Sequence, residues 1–155
     1  MYKIENVADY FLALESMSFG KLQKLVYYAY AWSAALLNED ADDLSFRLFN
    51  DRFEAWIHGP TVPKLYYIYR SYEGYDIPQN DSFNPDIFST EVRDILNQVW
   101  NVYGQYTHTQ LELMVHREDP WLNARGKLAP WQASVSPISD YDMFVYYNEL
   151  ANRRV

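Results

Sequence analysis

Leu22-Gln23-Lys24-Leu25-Val26-Tyr27-Tyr28-Ala29-Tyr30-Ala31-Trp32-Ser33-Ala34-Ala35-Leu36-Leu37 carries the longest helical pattern in the chain. Leu22, Leu25, Val26, Ala29, Ser33, Leu36 and Leu37 fall at the three- and four-residue spacing that lines up one side of an α-helix. This helix, ended by the acidic cluster over 39–43, is expected to be the spine of the core. Its mostly apolar, charge-free part over 25–38 has 14 residues, fewer than the roughly 20 needed to cross a bilayer.

N-terminal to the spine, Ile4, Val7, Ala8, Phe11 and Leu12 form a second stripe and predict a helix over 5–14. Residues 16–20 break it, with Ser18 placed to cap the spine helix. C-terminal to the spine the period changes. Leu44, Phe46 and Leu48 alternate, Asn50-Asp51 reads as a turn, and Phe53, Ala55 and Ile57 alternate again, which predicts a short hairpin closed off by Gly59-Pro60. Thr61-Val62-Pro63 then opens a helix, with Thr61 as its cap and Leu65, Tyr66, Ile68, Tyr69 and Tyr72 along it.

Farther out, 74–88 reads as a loop, and Val92, Ile95, Leu96, Val99 and Val102 mark a helix stopped by Gly104. Thr107 and Gln110 have capping-box spacing ahead of a helix with Leu111, Met114 and Val115, and Pro120 is expected to terminate it. An irregular stretch over 130–137 leads to a last helix over 141–151, packing Phe144 and Tyr147. The expectation is a mainly α fold: a single compact domain over 1–155, of about six helices with one short β-hairpin.

Composition supports one sizeable core, since 49% of the 155 residues are hydrophobic and 22% charged. Thirteen Lys and Arg against 21 Asp and Glu leave a formal charge of -8. That balance opposes binding to nucleic-acid phosphates and suits a basic protein surface. With no cysteine, disulfides, thiolate nucleophiles and Cys-based metal sites are excluded. At Met1-Tyr2-Lys3-Ile4-Glu5-Asn6-Val7 no basic region leads into an apolar one, so no signal peptide is expected and a cytoplasmic protein without membrane attachment is. The 15 Tyr and 5 Trp are expected mostly in the core, with a minority on a recognition surface.

Three stretches carry a family resemblance: Lys21-Leu22-Gln23-Lys24-Leu25-Val26-Tyr27-Tyr28-Ala29, Glu54-Ala55-Trp56-Ile57-His58-Gly59-Pro60-Thr61-Val62-Pro63-Lys64-Leu65-Tyr66, and His116-Arg117-Glu118-Asp119-Pro120-Trp121. In order and spacing they resemble the signatures of the Panacea domain, the SocA-like family also called phage-associated proteins. The resemblance implies a prophage-linked antitoxin that binds and neutralises a protein toxin encoded by a neighbouring gene, or delivers it to a protease. It implies no catalysis and no cofactor or metal. Within the stretches, Lys24, Tyr27, Glu54, Trp56, His58, Gly59, Pro60, Tyr66, His116, Asp119, Pro120 and Trp121 are the candidate partner-binding or signature residues.

The same residues also have direct physical readings. Trp56 and His58 either face a partner or belong to a rigid strand-to-helix corner, with Gly59 permitting the turn and Pro60 fixing its exit. His116 at a helix end interacts with the last carbonyls, and Trp121 folds back onto the core. Lys24 either runs its stem along apolar surface or pairs with a buried carboxylate, Glu54, and the pair is the expectation. His108, beside a helix cap, is expected to be exposed. The alternative function is a hydrolase or metal-dependent enzyme using His58, His116, Glu118 and Asp119, since His and carboxylate are the usual ligands without Cys. No HExxH, nucleophile elbow or phosphate-binding glycine loop accompanies them.

Overall fold

A computed structural model describes residues 1–153. Helix α1 (Ile4–Leu14) buries the predicted stripe, with Ile4, Val7, Ala8 and Phe11 wholly enclosed. Helix α2 (Phe19–Leu37) begins where Ser18 Oγ accepts the Lys21 amide at 3.2 Å. From Leu22 to Ala35 every residue of α2 is buried, so the helix is enclosed on all sides, beyond the single stripe that its spacing suggested. Helices α1, α4 (Thr90–Tyr103), α5 (His108–Val115) and α7 (Asp140–Arg153) pack around it. None of the described helices is long and apolar enough to cross a membrane.

Tyrosine makes this possible, because it fills space while its hydroxyl finds a partner. Tyr28 stacks on Tyr103 at 3.9 Å, and Trp32 Nε1 donates to the Tyr103 hydroxyl at 2.9 Å. Of the 15 Tyr and 5 Trp, only eight are buried and five more pack against the core from its edge, so fewer lie inside than composition suggested, and Tyr67, Tyr75 and Trp131 are exposed.

The hairpin forms farther along than its alternation suggested. Its strands are β1 (Glu54–Trp56) and β2 (Gly59–Thr61), paired antiparallel with Trp56 opposite Gly59, so Ile57-His58 is the turn and Gly59-Pro60 lies inside the second strand. Residues 44–48 form no strand, and only Phe49 makes a bridge, to Tyr2, where the Tyr2 amide donates to the Leu48 carbonyl at 2.9 Å. Asn38 explains why, since its side chain ends α2 by donating to the Ala34 and Phe46 carbonyls and accepts the Phe46 amide, which ties the segment back to the helix. The outer edge of β1 is closed by the late chain, with the Ala55 amide donating to the Ser136 carbonyl at 2.8 Å.

Helix α3 (Pro63–Tyr69) takes Val62 rather than Thr61 at its cap, because the Thr61 hydroxyl is turned back to the Gly59 carbonyl. The Thr107–Gln110 capping box forms as expected. Pro120 does not end α5, which stops at Val115. It sits instead in the first turn of a further helix, α6 (Asp119–Arg125), where a missing amide proton does no harm. The described residues thus hold seven α-helices and one two-stranded sheet.

Candidate functional site

The second and third signature stretches meet at the backbone of β1. Trp121, 3% exposed, donates its Nε1 proton to the Trp56 carbonyl at 2.8 Å. Arg125 donates to the Ala55 carbonyl at 3.1 Å and to the Ala129 and Gln132 carbonyls, with its guanidinium over the Trp121 ring. His116 stacks on the Trp121 ring system at 4.1 Å and 15°. Pro120 is buried in this clamp and Asp119 is exposed. The corner is therefore held from α6, and the Arg125 that completes it lies beyond the three signature stretches.

The first stretch enters beneath β2. Lys24 is wholly buried in α2 and donates to the Gly20 carbonyl at 3.2 Å. Gly59, at φ +131°, lies over it: a Cβ there would stand 3.3 Å from Lys24 Cε, so both the backbone angle and the close approach favour glycine. The expected Lys24–Glu54 pair does not form. Glu54 and Trp56, two apart on a strand, share the outward face, and Glu54 accepts the Trp56 indole proton at 2.7 Å. The opposite charge that acts on Lys24 is Glu112 from α5, while burial, the larger effect, brings its ammonium down to about 8.

Glu112 also draws in histidines. It lies 3.2 Å from His58 Nδ1 and 3.9 Å from His108 Nε2. His58, at the hairpin turn, is exposed, whereas His108 is packed against Gly20, where an added Cβ would meet its ring at 1.9 Å. Burial pushes both His108 and His116 below the ordinary imidazole range, and the Lys24 charge adds to it.

The residues of the alternative catalytic set point apart. Glu118 faces the core, where Tyr28 and Tyr147 each donate a hydroxyl proton to it at 2.9 Å, and Tyr27 meets the Tyr147 hydroxyl at 3.2 Å. Burial pushes its carboxyl up to about 7, against the smaller opposing effect of those two hydrogen bonds. His58 and Asp119 lie at the surface and His116 against Trp121. Among the described residues no three His, Asp or Glu side chains are grouped as metal ligands.

Beside the corner opens a cavity of about 910 Å³, between the start of α2, the hairpin turn, α3 and the segments 72–76 and 133–135. A run of rings lines it: Trp56 to Tyr66 at 5.3 Å, Tyr66 to Phe19 at 6.0 Å, Phe19 to Tyr69 at 6.2 Å and Tyr69 to Tyr72 at 6.5 Å. Burial, then the negative charges of Asp9 and Glu5, push the Tyr69 hydroxyl up to about 12. Gln23 and His108 also line the cavity. Of the signature residues, Trp56, His58 and Tyr66 reach it, whereas Lys24, Gly59, Pro120 and Trp121 are buried away from it, His116 is stacked on Trp121 and Tyr27 lies in the core. Gln23, Phe19 and Glu112 are not among the candidates that the sequence singles out. The i, i+3 spacing of Tyr66, Tyr69 and Tyr72 was the available signal for the aromatic wall.

The family model for antitoxin SocA-like, Panacea domain, matches residues 22–122. This chain belongs to the SocA-like Panacea-domain family. The matched part begins with the buried turn of α2 that carries Gln23 and Lys24 and ends in α6 just past Trp121, so it takes in the hairpin, α3 and most of the cavity wall. The segment 133–135 and the lining residues Ser18, Phe19 and Gly20, which complete the wall of this Panacea domain, lie outside it. No curated protein and no solved structure matches the chain.

Proposed function

We propose that this Panacea domain is a cytoplasmic antitoxin that binds a protein toxin encoded by a neighbouring gene and neutralises it by contact, without catalysis. The observation that carries the reading is the coincidence of the family match with the wall of the aromatic cavity. Around the mouth, Tyr67 and Tyr75 are 62% and 75% exposed, and tyrosine rings at the surface are frequent anchors of protein interfaces. The net charge of -8 favours encounter with a basic partner. The side chains that could do acid-base chemistry are engaged separately: Glu118 by tyrosines, His116 by Trp121, His58 by Glu112.

Co-expression with the adjacent reading frame tests this. Growth arrest caused by the neighbour alone and relieved by this chain, with the two proteins co-purifying, is the expected result. Persistent arrest despite stable co-expression, or relief without a complex, overturns the reading.

A further inference from the structure

All three histidines of the chain converge on one carboxylate, that of Glu112 on α5. Glu112 lies 3.2 Å from His58 Nδ1 and 3.9 Å from His108 Nε2, and its charge also acts on His116 and on the buried Lys24 ammonium. Each histidine occupies a joint of the corner. His58 brings the hairpin turn to α5, and His108 presses α5 against α2 at Gly20, the residue whose carbonyl holds Lys24. His116, at the end of α5, stacks on the Trp121 ring that grips the Trp56 carbonyl. Two of these joints, at His58 and His108, are part of the cavity wall itself.

With neutral imidazoles Glu112 faces one cation, Lys24, whereas with all three rings protonated it faces four. Arg125, from α6, adds a further positive charge beside His116, and Glu118, the next carboxylate along the chain, is turned away to Tyr28 and Tyr147. The exposed His58 pairs with Glu112 when protonated, a gain that solvent screens. His108 and His116 are placed differently. Burial, the largest effect, and the Lys24 charge oppose a proton on either ring, against the pull of Glu112, and His116 Nε2 is enclosed with no hydrogen-bond partner among the described residues.

From this we propose that the corner is an acid-sensitive latch: protonation of His108 and His116 drives α5 off α2 and off the Trp121 clamp, so the cavity wall opens while the rest of the domain stays folded. A histidine that takes up its proton less readily in the folded chain than in the unfolded one contributes stability that is complete above the ordinary imidazole value of 6.5 and is lost as the pH falls below it. Glu118 works the other way, since its contribution grows as the pH falls through about 7, so acid loosens the corner and tightens the core. No partner is needed for the latch to work, and it stands apart from the antitoxin reading.

Hydrogen exchange of the full chain, followed by mass spectrometry at pH 7.5 and pH 5.5 and corrected for the intrinsic pH dependence of amide exchange, tests this. Segments 55–61 and 108–118 are expected to exchange roughly tenfold faster at pH 5.5, the weight of one pH unit on one histidine, while α7 keeps its protection. Ring resonances of the three histidines, followed by NMR over the same range, should show His108 and His116 taking up protons below 6.5 together with that loss. His108→Gln with His116→Gln removes both charges and is expected to hold the protection in acid. Lys24→Met keeps the rings and removes the buried cation, so both histidines should titrate closer to 6.5.

Equal protection of the unaltered chain at the two pH values, or a loss shared equally by α7, overturns the latch. So does a double histidine variant that is folded at pH 7.5 and loses protection in acid as the unaltered chain does. Should that variant not fold, histidine titrations unmoved by Lys24→Met overturn it as well.

Discussion

Glu118→Gln isolates the effect of a carboxylate buried among tyrosines. The side chain is 8% exposed and accepts from Tyr28 and Tyr147, while burial raises its proton affinity from the ordinary 4.5 to about 7. The folded state therefore holds a proton that the unfolded chain has released. Stability from this group is fully present below pH 4.5 and is lost as the pH rises to about 7. At about 1.36 kcal/mol for each pH unit of that interval, the loss comes to about 3 kcal/mol. Glutamine keeps the size and an acceptor for the two hydroxyls but cannot ionise. Denaturant unfolding at pH 5 and pH 8, on both proteins, reads the difference directly and cancels the opposite trend contributed by His108 and His116. The unaltered chain should lose about 3 kcal/mol more than the variant over that range, roughly 6 to 12 °C in melting temperature for a domain of this size. Parallel stability profiles for the two proteins would refute the argument from burial.

Trp121→Ala empties a buried site and frees both Arg125 and His116, so calorimetry should show a loss of about 3 to 5 kcal/mol. The half-buried Trp56 should cost less on truncation to alanine and instead weaken partner binding in a pull-down. Gly59→Ala forces a side chain into a left-handed backbone angle and against Lys24, and thermal unfolding should report roughly 1 to 3 kcal/mol of destabilisation. The combined variant His58→Asn, His116→Gln, Asp119→Asn should still relieve growth arrest when folded, and loss of rescue with the complex intact would revive the catalytic alternative.

Where the periodicity was long, the chain was legible. The stripe of α1, the Ser18 cap, the capping box at Thr107 and the last helix with Phe144 and Tyr147 all follow from local spacing and turn chemistry. The hairpin was displaced because alternation over 44–48 does not name a strand partner, and the segment forms no strand: its end is held at Phe49 by a single bridge to Tyr2, more than 40 residues away. Pro120 was ambiguous for a similar reason, since proline after a helical run both ends one helix and suits the first turn of the next. The residues of the candidate site were harder. Lys24 and Glu54 are the right charges to pair, yet strand alternation sends Glu54 outward while Glu112, from an unrelated helix, arrives at Lys24. Gln23 carries no local mark at all: between Leu22 and Lys24 it reads as the solvent side of an amphipathic helix, and only enclosure of α2 on every side makes it a buried acceptor.

The clamp on β1 also bears on when the cavity wall becomes set during synthesis. The Trp56 and Ala55 carbonyls are gripped by side chains 65 and 70 residues later in the chain, and the free strand edge is covered later still, by Ser136. Contacts of such separation form after local helices, because the intervening chain must first be closed into a loop. A nascent chain emerging from the ribosome can thus complete α2 and α3 while the hairpin between them is still unanchored. A fragment ending before α6 lacks the grip altogether, so the complete cavity wall would be presented only by chains translated past residue 136.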